Sequence, residues 1–309
     1  MENTELLYIG GHGRSGTTIV ERIFARGIGA FSAGEVHRFW EYGISKKWKC
    51  ACNEELTDCP FWGEVLGNVT RRMGVELKDI VYAWRKVARP KSIPFIFLPS
   101  IRTSGFSKSL DLYTSFLSVF YNEVSSVSGR KRIVDSSGSA IHGCILSRVE
   151  GVDVSMVHLV RDPRAVANSN KRVKNNPASS GNTKMSRKGV VRTSISWRVV
   201  NRILDFLREK QFENCTIARY EDLFLNPSVE FSSLADKIGL EFENKKVFKN
   251  SSTVVFEEDH MGQGNPIRYK NGEIDLYVDD KWKREMRYID RLICFLMCYD
   301  VISEYKYKE

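Results

Sequence analysis

Short apolar runs alternate with stretches of helical periodicity along most of the chain. The first run, Leu6 to Gly10, ends in glycines and predicts a buried parallel strand. After the following loop, apolar residues return at the spacing of one helix face: Ile19, Val20, Ile23 and Phe24. The amino-terminal unit is therefore predicted to be a strand, a glycine-rich loop and a helix.

The same alternation continues to about residue 240. Three further segments have the composition of strands: Arg132 to Asp135, Val154 to Val160, and Thr216 to Tyr220. Asn226-Pro227 provides a cap and a first-turn proline, and Gly239 follows the last apolar repeat, so a helix is predicted between them. Strands separated by helical stretches indicate an α/β fold with a mostly parallel central sheet.

The carboxyl-terminal region, from Lys281 to Tyr305, is predicted to pack as one long helix. Its apolar residues fall on one stripe: Trp282, Met286, Ile289, Leu296 and Tyr299. We expect this stripe to face the core.

Two stretches interrupt the alternation. Residues 36 to 125 have mixed, mainly helical patterns and contain Pro90, Pro94 and Pro99, which predicts an inserted helical cap. Residues 171 to 192 contain seven basic residues and no acidic one, together with several Gly, Ser and Asn, and are predicted to form a mobile basic loop. Both are expected to belong to a single domain, residues 1 to 309.

The composition is that of an ordinary globular protein. Hydrophobic residues make up 42% and charged residues 28%, which excludes a disordered chain, and 309 residues can bury one large core without disulfide or metal support. The longest unbroken apolar run, Leu292 to Tyr299, is eight residues long, whereas a membrane span needs roughly 20. The first apolar run is too short for a signal peptide. We therefore expect a soluble, cytoplasmic protein without a membrane partner.

The charge balance favours a polyanionic partner. Lys and Arg number 47 against 38 Asp and Glu, so the formal net charge is +9 and the pI about 9.1. Nucleic acid, a phosphorylated cofactor and an acidic acceptor all remain open on charge alone.

The segment Gly10-Gly11-His12-Gly13-Arg14-Ser15-Gly16-Thr17-Thr18 lies between the first predicted strand and helix. Glycines allow the backbone to approach a ligand closely, and the helix amino terminus offers free N–H groups to an anion. Gly11 and Gly16 match the two glycines of a Walker A loop, but Thr17 stands where that loop requires lysine. Arg14 supplies the positive charge instead and can bind a phosphate with two nitrogens.

A second block has the features of a phosphate site. The block runs from Val157 to Val166: the end of the predicted strand Val154 to Val160 is followed by Arg161, and Ser169 follows that arginine by eight residues. Arg161 is thus expected at the carboxyl end of a strand, where open α/β sheets bind ligands.

The two blocks together resemble the sulfotransferases that use 3′-phosphoadenylyl sulfate (PAPS). That family has a P-loop-like three-layer fold, so the resemblance implies this fold with the inserted segment on the acceptor side. It also implies that the first loop holds the 5′-phosphosulfate: Gly13, Arg14, Ser15, Gly16, Thr17 and Thr18. Arg161 and Ser169 would hold the 3′-phosphate, with Arg268 as a third contact. No metal is required by this chemistry.

Other segments fit the same family, with two departures. The further blocks are Ile133 to Ser137, Arg219 to Leu223 with Asn226-Pro227, Gly264 to Arg268, and Asp280 to Trp282. The family often has a basic residue where this chain has Val173, although Arg172 and Lys174 flank it. Many relatives also have lysine and proline after Asp-Ser-Ser, where this chain has Gly138 and Ser139.

Glu35 is the carboxylate that we assign as the general base for an acceptor hydroxyl. It lies 21 residues after Arg14, which we assign as a second catalytic group because the leaving phosphate needs charge stabilisation. The Gly-Glu setting resembles the proposed base of tyrosylprotein sulfotransferases, and Arg38 matches an arginine of that pattern. His37 is the second candidate for the base, since histidine transfers protons near neutrality. His12 is expected either to add charge to the phosphate loop or only to line it.

Cys50-Ala51-Cys52 and Cys59 are the residues that suggest a metal site. Three thiols do not complete a zinc site, for which His37 is a conceivable fourth ligand. Buried structural cysteines are the favoured interpretation, and no metal is assigned.

The sequence thus predicts sulfuryl transfer from PAPS to an acceptor hydroxyl, with release of adenosine 3′,5′-bisphosphate. The acceptor is a carbohydrate, a tyrosine or a small alcohol, and an anionic acceptor suits the basic charge. One alternative is a P-loop nucleotide kinase, which the missing lysine disfavours. The other is a nucleic-acid-binding protein that uses the basic loop, which no recognition motif supports.

Overall fold

The computed structural model describes residues 3–172 and 188–307, and its centre is a five-stranded parallel sheet. The strands are β1 (Thr4–Gly10), β2 (Phe31–Gly34), β3 (Arg132–Gly138), β4 (Val152–Val160) and β5 (Cys215–Arg219). Their order across the sheet is β2-β3-β1-β4-β5, so β1 is the middle strand. The prediction of an α/β fold with a mostly parallel central sheet is confirmed.

The helices cover both faces of this sheet. They are α1 (Thr17–Gly27), α2 (Pro60–Met73), α3 (Leu77–Val87), α4 (Ile93–Phe97), α5 (Ser104–Ser128), α6 (Ala140–Leu146), α7 (Pro163–Lys171), α8 (Val190–Lys210), α9 (Tyr220–Leu225), α10 (Pro227–Asp236), α11 (Asn244–Val247), α12 (Trp282–Glu285) and α13 (Tyr288–Glu304). Short 3-10 turns occupy Val36–Arg38, Pro90–Ser92, Pro99–Ile101 and Pro266–Tyr269, and a π-helix occupies Phe39–Ser45.

The alternation of side chains along β1 explains the three layers. Leu6 and Tyr8 point into a core shared with α5, α6 and α8, whereas Leu7 and Ile9 point into a second core shared with α1, α9 and α10. A strand that is buried on both faces has no polar side, which is why its sequence is a continuous apolar run.

The region from residue 36 to 125 packs into the first of these cores. Trp40, Trp62 and Phe120 are fully buried there, and the rings of Trp62 and Phe120 stack at 5.8 Å between centroids. The region is mainly helical in the structure. Its role as an insertion on the acceptor side stays a prediction.

A small antiparallel pair lies after the last parallel strand. Its strands are β6 (Thr253–Phe256) and β7 (Gly272–Asp275), with Thr253 opposite Asp275. Residues 257 to 271 run between them and return to the end of β2, where the backbone N–H of Gly262 donates to the carbonyl of Ala33 at 3.1 Å.

The carboxyl-terminal region differs from the prediction of one long helix. The helix is interrupted at Met286 and Arg287, which have extended backbone angles between α12 and α13. The predicted stripe is also wrong for α13, because Ile289, Leu296 and Tyr299 are 51%, 64% and 58% exposed. The residues that face the core are instead Asp290, Cys294, Cys298, Val301 and Ile302. The run Leu292 to Tyr299 is apolar all round, so periodicity could not select the buried face.

The predicted basic loop, residues 171 to 192, lies mostly outside the described residues. At its described ends, Lys171 is the last residue of α7 and Arg192 lies in the first turn of α8. Within the described residues, none of the helices combines the length and apolar character needed to cross a bilayer.

Candidate functional site

The ends of four parallel strands gather the predicted site residues at one edge of the sheet. The loop that contains Arg14 follows β1, Glu35 follows β2, and Arg161 follows β4. Ser136 and Ser137, to which the sequence analysis assigned no role, lie at the end of β3. The carboxyl ends of parallel strands share an edge, so residues more than 100 positions apart come together there.

The loop between β1 and α1 is a tight turn that depends on its glycines. The N–H of Ser15 donates to the carbonyl of His12 at 3.0 Å, and Gly16 has a φ of 91°, in the left-handed region that favours glycine. A Cβ on Gly11 would lie 2.6 Å from the carbonyl oxygen of Leu159, so a side chain there has no room. The loop leads directly into Thr17, the first residue of α1.

The Ser15 hydroxyl and the Arg14 guanidinium are the two side-chain groups of this loop that could bind an anion. The hydroxyl of Ser15 is fully buried and has no hydrogen-bond partner among the described residues. Arg14 is in a left-handed conformation with a φ of 76°; burial and then the charge of Arg38 lower its pKa, while Glu35 opposes the shift. An arginine remains cationic despite such a shift.

His12 lines the loop as a neutral ring. Its Nδ1 lies 2.8 Å from the carbonyl of Gly13 and its Nε2 lies 3.1 Å from the hydroxyl of Ser196. Burial lowers the pKa of His12 to about 4, and the nearby charge of Lys188 acts in the same direction. The hydrogen bond to the Gly13 carbonyl raises the pKa, but by less than burial lowers it. Of the two roles expected for it, lining the loop fits this environment.

Arg161 joins the second block to the loop between β1 and α1. Its Nη1 donates to the carbonyl of Arg14 at 3.0 Å, and its Nη2 donates to the carbonyl of Asp279 at 3.0 Å. The guanidinium also lies over the ring of Tyr220, 4.2 Å from its centroid. Its Nε is buried without a hydrogen-bond partner in the described part of the chain, so one donor remains directed at the protein interior.

Asp279 balances part of this positive charge. Its carboxylate contacts Arg161 at 3.3 Å and Arg172 at 3.1 Å. Burial alone would raise the pKa of Asp279, but the two guanidinium groups lower it below its usual value. The edge of the sheet therefore holds a fixed carboxylate between two arginines.

The two other residues predicted to contact the 3′-phosphate, Ser169 and Arg268, are buried. Ser169 lies in α7, which begins after Arg161 and is capped by the side chain of Asp162. Arg268 donates to the carbonyls of Gly264 and Lys49. Burial lowers the pKa of Arg268, whereas Glu35 is one of the charges that oppose this effect. Glu35 is thus close enough to act on the charge of Arg268, whose contact with a 3′-phosphate stays a prediction.

Glu35 is held from both sides immediately after β2. Its backbone N–H donates to the carbonyl of Gln263 at 2.7 Å, and its carboxylate forms an ion pair with Arg38 three residues later. The Glu35 side chain is 14% exposed, so it is partly sheltered yet reachable.

His37 has a more enclosed environment. Its backbone N–H donates to the hydroxyl of Ser137 at 3.1 Å, and its ring lies 6.3 Å from the ring of His142. The Nδ1 atom is buried without a hydrogen-bond partner among the described residues. Burial, followed by the charges of Arg38 and His142, holds the pKa of His37 well below its usual value. The imidazole is therefore neutral at physiological pH.

Glu21 is a buried carboxyl below the site that the sequence analysis did not identify. It accepts hydrogen bonds from the hydroxyl of Ser32 at 2.9 Å, from the N–H of Gly34 at 2.7 Å and from the hydroxyl of Ser136. Burial raises its pKa to about 8, although these hydrogen bonds oppose the shift. The position of Glu21 beside Val20, within the apolar pattern of α1, could have indicated a buried carboxyl. The same position is equally typical of an exposed glutamate at the edge of a helix face.

The structure also brings the three central cysteines together. The sulfurs of Cys50, Cys52 and Cys59 and a ring nitrogen of His260 all lie within 4.8 Å of one another. The histidine beside these sulfurs is His260 and not His37. It could not be paired with them from spacing, because it follows Cys59 by 201 residues.

A solved sulfotransferase domain has a similar architecture over almost the whole of this chain. A search of curated sequences found no match. The structure is similar to a sulfotransferase domain from the curacin biosynthetic pathway, with a TM-score of 0.54 and 18% identity, over 97% of this chain and 98% of that chain. A sulfotransferase domain from the Synechococcus PCC 7002 olefin synthase gives a TM-score of 0.48 and 18% identity, over 97% of this chain and 96% of that one.

At 18% identity, the likeness to the curacin domain shows a shared fold and nothing finer. The sequence evidence is more specific, because the model of the sulfotransferase family matches residues 7–244. This match includes the loop between β1 and α1, Glu35 and the block around Arg161, and it covers well over half of the chain. The chain therefore belongs to the sulfotransferase family.

Proposed function

We propose that this protein transfers a sulfuryl group from PAPS to an acceptor hydroxyl and releases adenosine 3′,5′-bisphosphate. The observation that supports this most is the hydrogen bond from Arg161 to the carbonyl of Arg14. It joins the two blocks that resemble the family's 5′-phosphosulfate and 3′-phosphate sites at one edge of the sheet. A donor with two phosphate-bearing ends needs such a pair of adjacent cationic sites.

The residues of the phosphate loop suit the 5′ end of the donor. The buried hydroxyl of Ser15 is available as a donor, and the first N–H groups of α1 point out of the helix at Thr17 and Thr18. Gly13 and Gly16 keep the backbone accessible. Arg14 supplies the charge that stabilises a leaving phosphate, the role that lysine has in Walker A loops.

Arg161 and Ser169 are the residues that we assign to the 3′-phosphate, with Arg268 as a third contact. Arg161 is already oriented by the two carbonyls that it contacts, so little side-chain entropy is lost when it binds a phosphate. PAPS supplies the sulfuryl group and, at its 5′ end, the phosphate that leaves.

Glu35 is the group that we assign to proton removal. As the acceptor oxygen bonds to sulfur and the sulfur–phosphate oxygen bond breaks, the hydroxyl proton passes to the Glu35 carboxylate. The ion pair with Arg38 fixes the orientation of that carboxylate. His37 is the weaker candidate, because the burial that lowers its pKa also disfavours the imidazolium that proton uptake would form.

The acceptor is a hydroxyl compound of one of the predicted classes: a carbohydrate, a tyrosine or a small alcohol. A nucleotide kinase is disfavoured because Thr17 replaces the lysine that binds the triphosphate. The basic segment that would support nucleic-acid binding lies mostly outside the described residues.

Ligand-induced thermal stabilisation is the first experiment, with adenosine 3′,5′-bisphosphate in buffer without added magnesium. A ligand that binds only the folded state stabilises it by about 2.7 kcal/mol at 100 times its Kd. We expect a clear rise in Tm with this nucleotide and a smaller one with ATP. Transfer is then tested with sulfur-labelled PAPS and an acceptor panel. An unchanged Tm at saturating nucleotide, or a requirement for ATP and magnesium, would contradict the proposal.

A further inference from the structure

Three cysteines and one histidine form a compact cluster at the side of the site, distant in sequence from the phosphate loop. Cys50 and Cys59 are buried, and Cys52 and His260 are partly exposed. The sulfurs of Cys52 and Cys59 are 3.6 Å apart, and the Cys59 sulfur lies 3.3 Å from Nδ1 of His260. The three thiols are free in the structure.

The local backbone presents the three sulfurs to one point. Cys50 begins a tight turn in which its N–H donates to the carbonyl of Glu54 at 2.8 Å and Asn53 has a left-handed φ of 70°. Cys59 directly precedes α2 and is held by an N–H bond to the carbonyl of Glu55 at 2.8 Å. The turn and the start of α2 thus bring the three sulfurs together.

His260 is held against this turn by the first residues of α2. The indole N–H of Trp62 donates to its carbonyl at 2.6 Å, and the ring of Phe61 stacks on its imidazole at 5.8 Å between centroids. Met261, which follows His260, also contacts the turn, because its carbonyl accepts the N–H of Ala51 at 3.0 Å. The histidine is therefore oriented before any ligand binds.

All four ligand atoms lie within 4.8 Å of one another, and two of their separations match a tetrahedral zinc ion. With bonds of about 2.3 Å to sulfur and about 2.0 Å to nitrogen, tetrahedral geometry puts two sulfurs about 3.8 Å apart and sulfur and nitrogen about 3.5 Å apart. The sulfur–sulfur distance of 3.6 Å and the sulfur–nitrogen distance of 3.3 Å are close to these values.

The chemistry of the cluster selects zinc among the common metals. Calcium and magnesium need oxygen ligands, and iron–sulfur clusters use four cysteines in most sites. Three thiolates and one imidazole are a known donor set of structural zinc.

We propose that the sulfurs of Cys50, Cys52 and Cys59 and Nδ1 of His260 bind one zinc ion. Four protein ligands fill the coordination sphere and leave no position for a substrate, so the site is structural and takes no part in sulfuryl transfer. The ion would fasten the turn at residues 50 to 59 to the segment that begins at His260.

This connection has a consequence for Glu35. Gln263 follows His260 by three residues, and its carbonyl accepts the N–H of Glu35 at 2.7 Å. Gly262 in the same segment donates to Ala33. Zinc would thus stabilise the backbone that supports the end of β2, without contacting the reacting groups.

Metal content tests the proposal independently of any enzymatic activity. The full chain is purified with reductant, without a metal-affinity tag, and analysed by plasma mass spectrometry. We expect about one zinc per chain. Cys59→Ser and His260→Ala should lose most of it, whereas His260→Cys, which rebuilds a four-ligand site, should retain it. Cys215→Ser is the matched control, because Cys215 lies outside the cluster and should leave zinc content unchanged.

Wild-type protein from which zinc has been removed tests the proposal even if a variant does not fold. Removal of zinc with a chelator and a thiol-specific mercurial should lower the Tm, and added zinc should restore it. Cobalt in place of zinc should give the visible spectrum of a tetrahedral thiolate site. Zinc-free protein that binds neither metal would overturn the proposal. A Cys52–Cys59 disulfide in the protein purified with reductant would also overturn it, because it removes two of the four ligands.

Discussion

Glu21, in α1, accepts a hydrogen bond at 2.7 Å from the backbone N–H of Gly34. Gly34 ends β2 and directly precedes Glu35, while α1 begins at the phosphate loop. One buried carboxyl thus ties the helix that follows the predicted 5′-phosphosulfate loop to the strand that carries the predicted base. Because its pKa is raised to about 8, Glu21 is largely protonated at neutral pH.

The replacement Glu21→Gln tests this buried carboxyl through its pH dependence. A folded-state pKa near 8, above the unfolded value of 4.5, means that the native protein binds more protons between these limits. The contribution to stability is full below pH 4.5 and is lost as the pH rises through 8, by up to about 1.4 kcal/mol per pH unit. Urea unfolding at about pH 5.5 and about pH 7.5 should show the advantage of wild type over Glu21→Gln shrinking with pH.

The control for that experiment is Glu241→Gln, since Glu241 is exposed on the surface. The stability difference between wild type and this variant should be the same at both pH values. A difference between wild type and Glu21→Gln that does not change with pH would show that Glu21 has an ordinary pKa.

Arg161→Ala should weaken binding of adenosine 3′,5′-bisphosphate more than binding of adenylyl sulfate, which lacks the 3′-phosphate. Loss of a charge-assisted hydrogen bond costs about 1.5–3 kcal/mol, or about 10- to 150-fold in Kd. Titration calorimetry with both nucleotides measures the selectivity directly. Arg198→Ala is a suitable control, because Arg198 is exposed and pairs with Asp300. Equal weakening of both nucleotides by Arg161→Ala would place that arginine away from the 3′-phosphate.

The parts of the site that the sequence predicted are those that local chemistry determines. The loop around Arg14 needs glycines between a strand and a helix, and Arg161 ends a β-branched strand, so both are visible in a few consecutive residues. The same applies to β1, whose apolar run reflects burial on two faces, and to the β-branched residues that mark β3, β4 and β5.

The site residues that the sequence analysis did not predict depend on tertiary contacts. Glu21 meets Gly34 and Ser136 only after β2 and β3 pair, and His260 reaches Cys59 across 201 residues. No spacing rule links residues so far apart. The buried face of α13 was missed for another reason, because an apolar helix gives no periodic contrast between its two sides.

Two substitutions on α13 test the observed orientation of this helix. Ile302 is fully buried, so Ile302→Ala should lower the free energy of unfolding by about 2–5 kcal/mol through lost burial and a residual cavity. Leu296 is 64% exposed, so Leu296→Ala should change stability by about 0.5 kcal/mol or less. Urea unfolding of the two variants is the measurement. A larger loss for Leu296→Ala than for Ile302→Ala would mean that the predicted stripe, rather than the observed face, packs on the core.

Glu35→Gln should separate binding from the chemical step. The amide keeps the size of the carboxylate but cannot take the acceptor proton, so turnover should fall by about 10²–10⁴ while nucleotide affinity stays nearly unchanged. Single-turnover assays with labelled PAPS give the rate, and calorimetry with adenosine 3′,5′-bisphosphate gives the affinity.

His37→Ala is the comparison that makes the assignment decisive, because His37 lies two residues after Glu35 and its backbone contacts Ser137. Burial keeps this imidazole neutral and makes the imidazolium costly, so its removal should reduce turnover far less than Glu35→Gln does. Both variants must bind nucleotide for the comparison to count, since a loss of binding reports damage to the fold rather than to proton transfer. If His37→Ala binds nucleotide but is inactive, and Glu35→Gln turns over at a near-normal rate, then His37 is the base and the assignment to Glu35 is wrong.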